Sequence, residues 1–402
     1  MGEQLAAHDG APAVPLLDPA SARLVSLDAL RGFDMWWIIG GDQLLRSFVK
    51  ASNRPAWQWI PDQLTHVPWE GFHFIDLIFP LFLFMIGVAI PFSLAKRLAR
   101  GDSARRIHAH LFLRVAILIV LGMMVNGSLL TYDPQQFELS YSVLQMLALG
   151  YLVASLLFIH LRLRWQVLAT VVMLVGYWAL LAFVPGPGHE IGRFREGCNA
   201  GDWVTEFLVG RWRDHQVGWI IGILGHASTA MLGVFAGQML RAPWGNARKV
   251  AALLALGCTC LALGYVWSGW FIQHLAARGI GNRFVDWPIW FPIIKNRWTS
   301  SFALYAGGWS YLLLALFYLV IDVWKVRRWA FPFIVIGANS IFAYMCWQLG
   351  SGVFRSAAGV FLRGLEQYVG PAWYEPIAWA GATAALWLLL WYLHRNKTLI
   401  RV

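Results

Sequence analysis

Charge is scarce in this 402-residue chain. Asp, Glu, Lys and Arg make up 13% of it, and the acids are the rarer sign, 21 against 32 basic residues. So little charge among so many apolar residues excludes a solvated, disordered polymer. Cysteine is sparse as well: Cys258, Cys260 and Cys346 lie in apolar runs and Cys198 stands alone in a polar loop, which excludes a disulfide framework. No HExxH or CxxC occurs and the histidines show no ligand spacing, so no metal site is supported. Walker, GxSxG and dinucleotide fingerprints are missing too, which argues against ATP-driven transport and serine hydrolysis. The opening "MGEQLAAHDGAPAVPLLDPASARLVSLDALRG" has neither a basic n-region nor a short apolar h-region. A cleaved signal is therefore not expected, and the first true span does the targeting.

What is present is apolar length. Hydrophobic residues are 58% of the chain, with several runs of eighteen or more, enough to cross a hydrocarbon core of roughly 30 Å as helix. Apolar runs read against charged or Pro/Gly breaks give about ten spans, near 27–47, 73–94, 110–130, 140–160, 165–184, 217–240, 248–272, 299–323, 331–350 and 372–393. The connections after even-numbered spans, "KRLARGDSARR", "HLRLR", "RAPWGNARK", "KVRR" and the tail "HRNKTLIRV", are basic, with Asp102 their only acid. By the positive-inside rule these face the cytosol, as do both termini. That pattern absorbs the net charge of +11, so no basic patch is left for nucleic acid. The fold class is thus an all-α polytopic membrane helix bundle lying in the lipid bilayer. Residues 1–22 are expected to form a disordered cytosolic tail and 23–402 a single domain. Long connections at 184–217 and 272–298 are expected to make a lid or rim on the outer face.

Polar residues inside the spans locate the candidate chemistry, because ionisable groups at membrane depth tend to face a bundle interior or a water-filled cavity. In "SLDALRGFDMWWIIGGDQLL", 100° per residue puts Asp28, Arg31, Met35 and Asp42 on one face, with Asp34 pointing elsewhere. An Asp28–Arg31 pair is also a plain helix anchor near the cytosolic end. Asp42 lies toward the outer leaflet. In "HVPWEGFHFIDLIFPLFLFMIG" the Pro68-Trp69-Glu70-Gly71 turn can fold His66 back toward the start of its own helix, where Asp76 sits. That gives a base with a carboxylate to fix its tautomer. Asp76 alone is equally a helix N-terminal carboxylate favoured by the macrodipole. Gln145, the run Lys295-Asn296-Arg297 and the pair Asn339-Ser340 are further polar insertions, each also readable as interhelical glue or interfacial snorkelling. Trp69 and Trp298 flank the suspected site.

The blocks "RLVSLDALRGFDMWWIIGGD", "HVPWEGFHFIDLIFPLFLFMIG", "SVLQMLALGYLVAS", "ILGHASTAMLGVFAGQML", "PIIKNRWTSSFAL" and "GANSIFAY" resemble, in order, bacterial relatives of the heparan-α-glucosaminide N-acetyltransferases, over about residues 23–394. The resemblance implies a multi-pass enzyme of the bacterial inner membrane that takes acetyl from cytosolic acetyl-CoA and delivers it to the amine of a glucosamine or glucosamine-containing saccharide on the periplasmic side. It implies His66 as the catalytic residue, with Asp76 matching the family's aspartate. It also leans toward a homodimer. Asp42 falls where the lysosomal enzyme has an asparagine, which suggests a carboxylate for the sugar ammonium. On this reading His66 is either the general base or the acetyl carrier. Asp42, Trp69, Glu70, Lys295 and Asn296 would hold the amino-sugar acceptor. Arg31 and Arg114 would take the cofactor's diphosphate, and Gln145, Trp298, Asn339 and Ser340 would line the rest of the acetyl-CoA path. Rival readings are a proton-coupled amino-sugar transporter using Asp28, Asp34, Asp42 and Asp76, and an O-acyltransferase of surface polysaccharide.

Overall fold

The computed structural model describes residues 24–133, 142–185, 219–276 and 289–400, with Phe194 and a few positions between 201 and 207. The expected tail and much of the two long outer connections lie outside the described residues. Among the described residues the chain is an all-α bundle, and eight helices are long and apolar enough to cross a membrane. In chain order the principal helices are α1 (Val25–Trp36), α2 (Asp42–Ser52), α3 (Phe74–Ala99), α4 (Ala104–Asn126), α5 (Val143–His160), α6 (Leu163–Phe183), α7 (Trp219–Arg241), α8 (Asn246–Ser268), α9 (Ser300–Phe317), α10 (Phe331–Ala338), α11 (Ser340–Leu362) and α12 (Glu366–Arg395).

The difference from ten uninterrupted spans has local causes. The first apolar run is not one helix: a π-turn at Trp37–Gly41 separates α1 from α2, with Gly40 at φ +106°. Asp42 therefore cannot be placed by continuing the 100° phase from Asp28, and the shared face drawn from the sequence stops at Trp36. The ninth run breaks at Asn339 between α10 and α11, and α11 meets α12 through a 3₁₀ turn at Arg363–Leu365.

Burial sorts the helices by depth. On α3, Leu81, Leu83, Phe84, Met85 and Val88 are fully buried, so this helix, apolar all round, is the bundle's core. By contrast α8 leaves Leu254, Leu263 and Val266 exposed, as a lipid-facing helix does. Lipid tails are as apolar as leucine, so helices in a bilayer are held by close packing rather than by hydrophobic expulsion. At the α3–α7 crossing, a Cβ on Gly87 would run into the Ala230 carbonyl and one on Gly233 into the Phe84 carbonyl. The two backbones thus touch at the centre of the molecule. The start of α1 is capped in trans: the Asp322 carboxylate, following α9, accepts from the backbone N–H of Ser26 at 3.1 Å and of Val25 at 3.3 Å. This satisfies donors that no earlier turn of helix can serve.

Candidate active site

Three sequence-distant pieces meet at one end of the bundle: the π-turn entering α2, the loop entering α3 and the loop entering α9. They enclose a cavity of about 700 Å³ that also touches α4, α5, α7 and α11. That volume is in the range of sites that take drug-sized ligands.

Asp76 organises the centre. It is the third residue of α3, where a carboxylate can reach back to exposed backbone donors. Its Oδ2 accepts the His73 N–H at 3.0 Å, and the Gln63 side chain accepts the Phe74 N–H at 3.1 Å. Four residues on, Pro80 has no N–H to give the Asp76 carbonyl. The other oxygen of Asp76 faces the site, 2.8 Å from His66 Nδ1 and 3.2 Å from Lys295 Nζ. The two readings of Asp76, helix-terminal carboxylate and histidine partner, therefore hold together, one on each oxygen. Asp76 is 1% exposed whereas His66 is 59% exposed, so the imidazole faces the cavity and its partner is sealed behind it.

A carboxylate oxygen only accepts, so Nδ1 carries the proton and Nε2 the lone pair. Lys295 Nζ lies 2.9 Å from Nδ1 and 3.3 Å from Nε2, against the imidazole ring. Burial presses the Lys295 pKa below its usual range, and the Asp76 carboxylate opposes that shift. With Lys295 charged and Asp76 ionised, the pair is neutral.

Lys295 is held there by its own loop. Residues Lys295–Arg297 form a 3₁₀ turn, and Trp298 follows at φ +50°. Thr299 Oγ1 accepts the Ile294 N–H at 3.1 Å and donates to the Pro292 carbonyl at 2.8 Å, closing the turn. This loop is tied to the His66 loop by an antiparallel bridge between Glu70 and Ile294 and by a bond from Gly71 N–H to the Ile293 carbonyl at 2.9 Å.

Of the residues selected from sequence, Asp42, His66, Trp69, Lys295, Asn296 and Trp298 line the cavity, with Asp76 directly behind His66. Trp69 donates its indole N–H to the Phe194 carbonyl at 2.9 Å, and the Arg297 guanidinium lies over its ring. Trp298 donates to Thr229 Oγ1 at 2.9 Å. The remaining six sit elsewhere. Glu70 accepts from Gln273 at 2.9 Å outside the cavity wall. Arg31 pairs with Asp28 at 3.4 Å, and Arg114 stacks on Tyr151 between α4 and α5. Gln145 turns toward Gly122 and accepts from Ser142 at 2.8 Å. The amide of Asn339 is used by the C-terminal residues, accepting from Ile400 N–H at 2.8 Å and donating to the Thr398 carbonyl at 3.2 Å. Ser340 is buried as the first residue of α11. Among the acids proposed for a proton path, Asp28 is paired, and Asp34 is sealed with no hydrogen-bond partner for its carboxylate among the described residues.

Arg46 and His226 also line the cavity and were not selected from sequence. Arg46 lies one turn beyond Asp42 on α2, a spacing that could have found it. His226 is a buried polar residue in the apolar run "ILGHASTAML", the same kind of signal that marked Gln145. It donates its Nδ1–H to the Gly222 carbonyl at 2.6 Å and stacks on Trp298 with ring centroids 4.4 Å apart.

No family model matches the chain. It is similar to the heparan-alpha-glucosaminide N-acetyltransferase of Homo sapiens, 25% identical over 86% of this chain and 56% of that protein. The Mus musculus protein of the same name is 24% identical over 80% of this chain and 53% of its own length. This chain thus spans little more than half the length of either. With its all-α membrane bundle and its cavity ringed by the blocks quoted above, the chain is a distant relative of the heparan-alpha-glucosaminide N-acetyltransferases.

Proposed function

We propose that the protein is an acetyltransferase of a bacterial inner membrane, which moves acetyl from cytosolic acetyl-CoA to the amine of glucosamine or a glucosamine-containing saccharide on the periplasmic side. The observation that carries this reading is the His66–Asp76 pair at 2.8 Å, opening on a cavity of about 700 Å³ with Lys295 beside it. A glucosamine amine is mostly protonated near neutral pH, so transfer needs a base to free its lone pair and donors for the tetrahedral oxyanion. His66, with Nδ1–H on Asp76, presents Nε2 for that work. It takes the ammonium proton as general base, or attacks the thioester itself and carries the acetyl.

Asp42, half-buried on the cavity wall, is the carboxylate for the substrate ammonium. Trp69 and Trp298 supply flat apolar surface for a sugar ring, and Asn296 a hydrogen-bonding amide. Lys295 is positioned to donate to the acyl oxygen as it gains charge. The cytosolic side of the acetyl-CoA path is assigned to Arg31 and Arg114 from their sequence positions, and neither lines the cavity. Gln145, Asn339 and Ser340 are placed along the path only by sequence, and none of them lines the cavity.

The test is purified protein in proteoliposomes with labelled acetyl-CoA and a panel of amino sugars, comparing wild type with His66→Ala. Transfer to an amino sugar that disappears in His66→Ala supports the reading. Full activity of His66→Ala, or no transfer to any amino sugar, sinks it. Acid-quench trapping of label on the protein separates acetyl-histidine from direct transfer.

A further inference from the structure

Lys295 raises a problem that the transfer reaction alone does not solve. Its Nζ is 3.3 Å from His66 Nε2, the atom beside which the acetyl carbonyl must sit. An amine held that close to the transfer atom is within reach of the acetyl group and meets it as an intramolecular reactant. Resting on the acetyl-transfer reading, we propose that Lys295 is a self-acetylation site, modified when acetyl-CoA is bound and no acceptor amine occupies the cavity, and that the modified enzyme is shut off.

The chemistry balances. The neutral amine of Lys295 attacks the acetyl carbonyl, directly on the thioester or after the acetyl has passed to His66. A C–N bond to Lys295 forms in either route. On the thioester the C–S bond breaks in the same step, whereas from acetyl-His66 the C–Nε2 bond breaks, the C–S bond having broken when His66 was acetylated. In both, CoA leaves as the thiol with the proton the amine gives up. The products are N-acetyllysine and CoASH, with no other reactant needed.

What normally protects Lys295 is its charge, since an ammonium has no lone pair to attack with. Asp76 holds that charge from 3.2 Å. Burial works against it and presses the Lys295 pKa downward, so the vulnerable neutral amine grows as pH rises. Asp76 on α3 and His66 on its loop contact this nitrogen, and the other charged and titratable groups lining the same cavity are Asp42 and Arg46 on α2, His226 on α7 and Arg297 on its own turn. An acceptor ammonium bound at Asp42 would stand between the acetyl group and Lys295 and take the acetyl first.

The consequence for activity follows from what the amide would lose. Acetylation removes a charge, leaving Asp76 sealed at 1% exposure without its lysine cation. The acetamide would also project into the cavity at His66. Activity would then follow the supply of acceptor: enzyme left with acetyl-CoA alone silences itself.

The experiment is peptide mass spectrometry of wild-type protein incubated with acetyl-CoA, with and without glucosamine, as pH is raised from about 7 to about 9, with activity measured in parallel. The exposed Lys50 and Lys325 are internal controls for uncatalysed acetylation. The proposal expects Lys295 to gain one acetyl group at least about tenfold faster than either control. That rate should rise with pH, glucosamine should suppress it, and activity should fall in step with occupancy. If the enzyme acetylates glucosamine but Lys295 is modified no faster than Lys50 and Lys325, self-acetylation is refuted and the acetyltransferase reading stands. Modified Lys295 in an enzyme that acetylates no sugar would refute the acceptor assignment while supporting the proximity argument. Full Lys295 occupancy with undiminished activity would refute the shut-off.

Discussion

Replacing Asp76 by asparagine separates the two jobs of one side chain. The amide keeps one oxygen, and the backbone N–H of His73 at 3.0 Å claims it, so the start of α3 stays capped. The NH₂ must then face His66 Nδ1, where the carboxylate oxygen lay at 2.8 Å. A donor at that position makes Nδ1 the acceptor and moves the ring proton to Nε2, the wrong nitrogen for attack or proton abstraction. Misplacing that proton is expected to lower kcat by about 10³–10⁴-fold, the scale of positioned acid–base catalysis. Stability should move less. Breaking a sealed ion pair costs about 3–5 kcal/mol. Lys295, however, keeps 20% of its side chain exposed and can turn to cavity water, so about 1–3 kcal/mol is expected. The assay is initial-rate transfer from labelled acetyl-CoA, paired with thermal unfolding followed by intrinsic tryptophan fluorescence. A variant within about tenfold of wild type in kcat, a difference of only about 1.4 kcal/mol in the barrier, would refute the tautomer argument. Rate and stability falling together, with the same loss in Asp76→Ala, would reduce Asp76 to a cap.

Three further outcomes follow from the geometry. Gly40→Ala puts a Cβ 2.7 Å from the Trp347 ring and 2.9 Å from Thr383 Oγ1 at φ +106°; it should destabilise by about 1–3 kcal/mol and raise KM for the amino sugar through displaced Asp42, seen by unfolding and by steady-state kinetics. The Lys295 pKa is lowered in the folded state, so between that value and the unfolded one of about 10.4 the unfolded chain binds more protons and stability rises with pH. Unfolding scans of wild type against Lys295→Gln above about pH 8 should therefore show the difference shifting in favour of wild type as pH increases; a flat difference contradicts the burial argument. Asn339→Ala frees Thr398 and Ile400 and should cost about 1–3 kcal/mol while leaving KM for acetyl-CoA unchanged, and a large rise in that KM would return Asn339 to the cofactor path.

How far the sequence reaches depends on whether a signal is local. The helices of the bundle were legible because apolar runs of membrane length and basic connections are properties of contiguous segments. His66 and Asp76 were legible as a pair because only ten residues and a Pro/Gly turn separate them. Lys295 was legible as a polar residue near the mouth but not as the third member of that pair. Its contact spans 229 residues and depends on the Glu70–Ile294 bridge, which no helical period announces. The π-turn was hidden for a related reason. "IIGGD" reads equally as a small-residue contact, and the neighbours that leave no room for a Cβ at Gly40, Trp347 and Thr383, lie more than three hundred residues away. Asn339 shows the same limit from the other side. A polar residue in an apolar run declares that it needs partners, and here the chain's own last residues supply them. A buried amide in a membrane sequence therefore marks a demand for hydrogen bonds; whether a ligand or the protein meets it is decided by the three-dimensional neighbours.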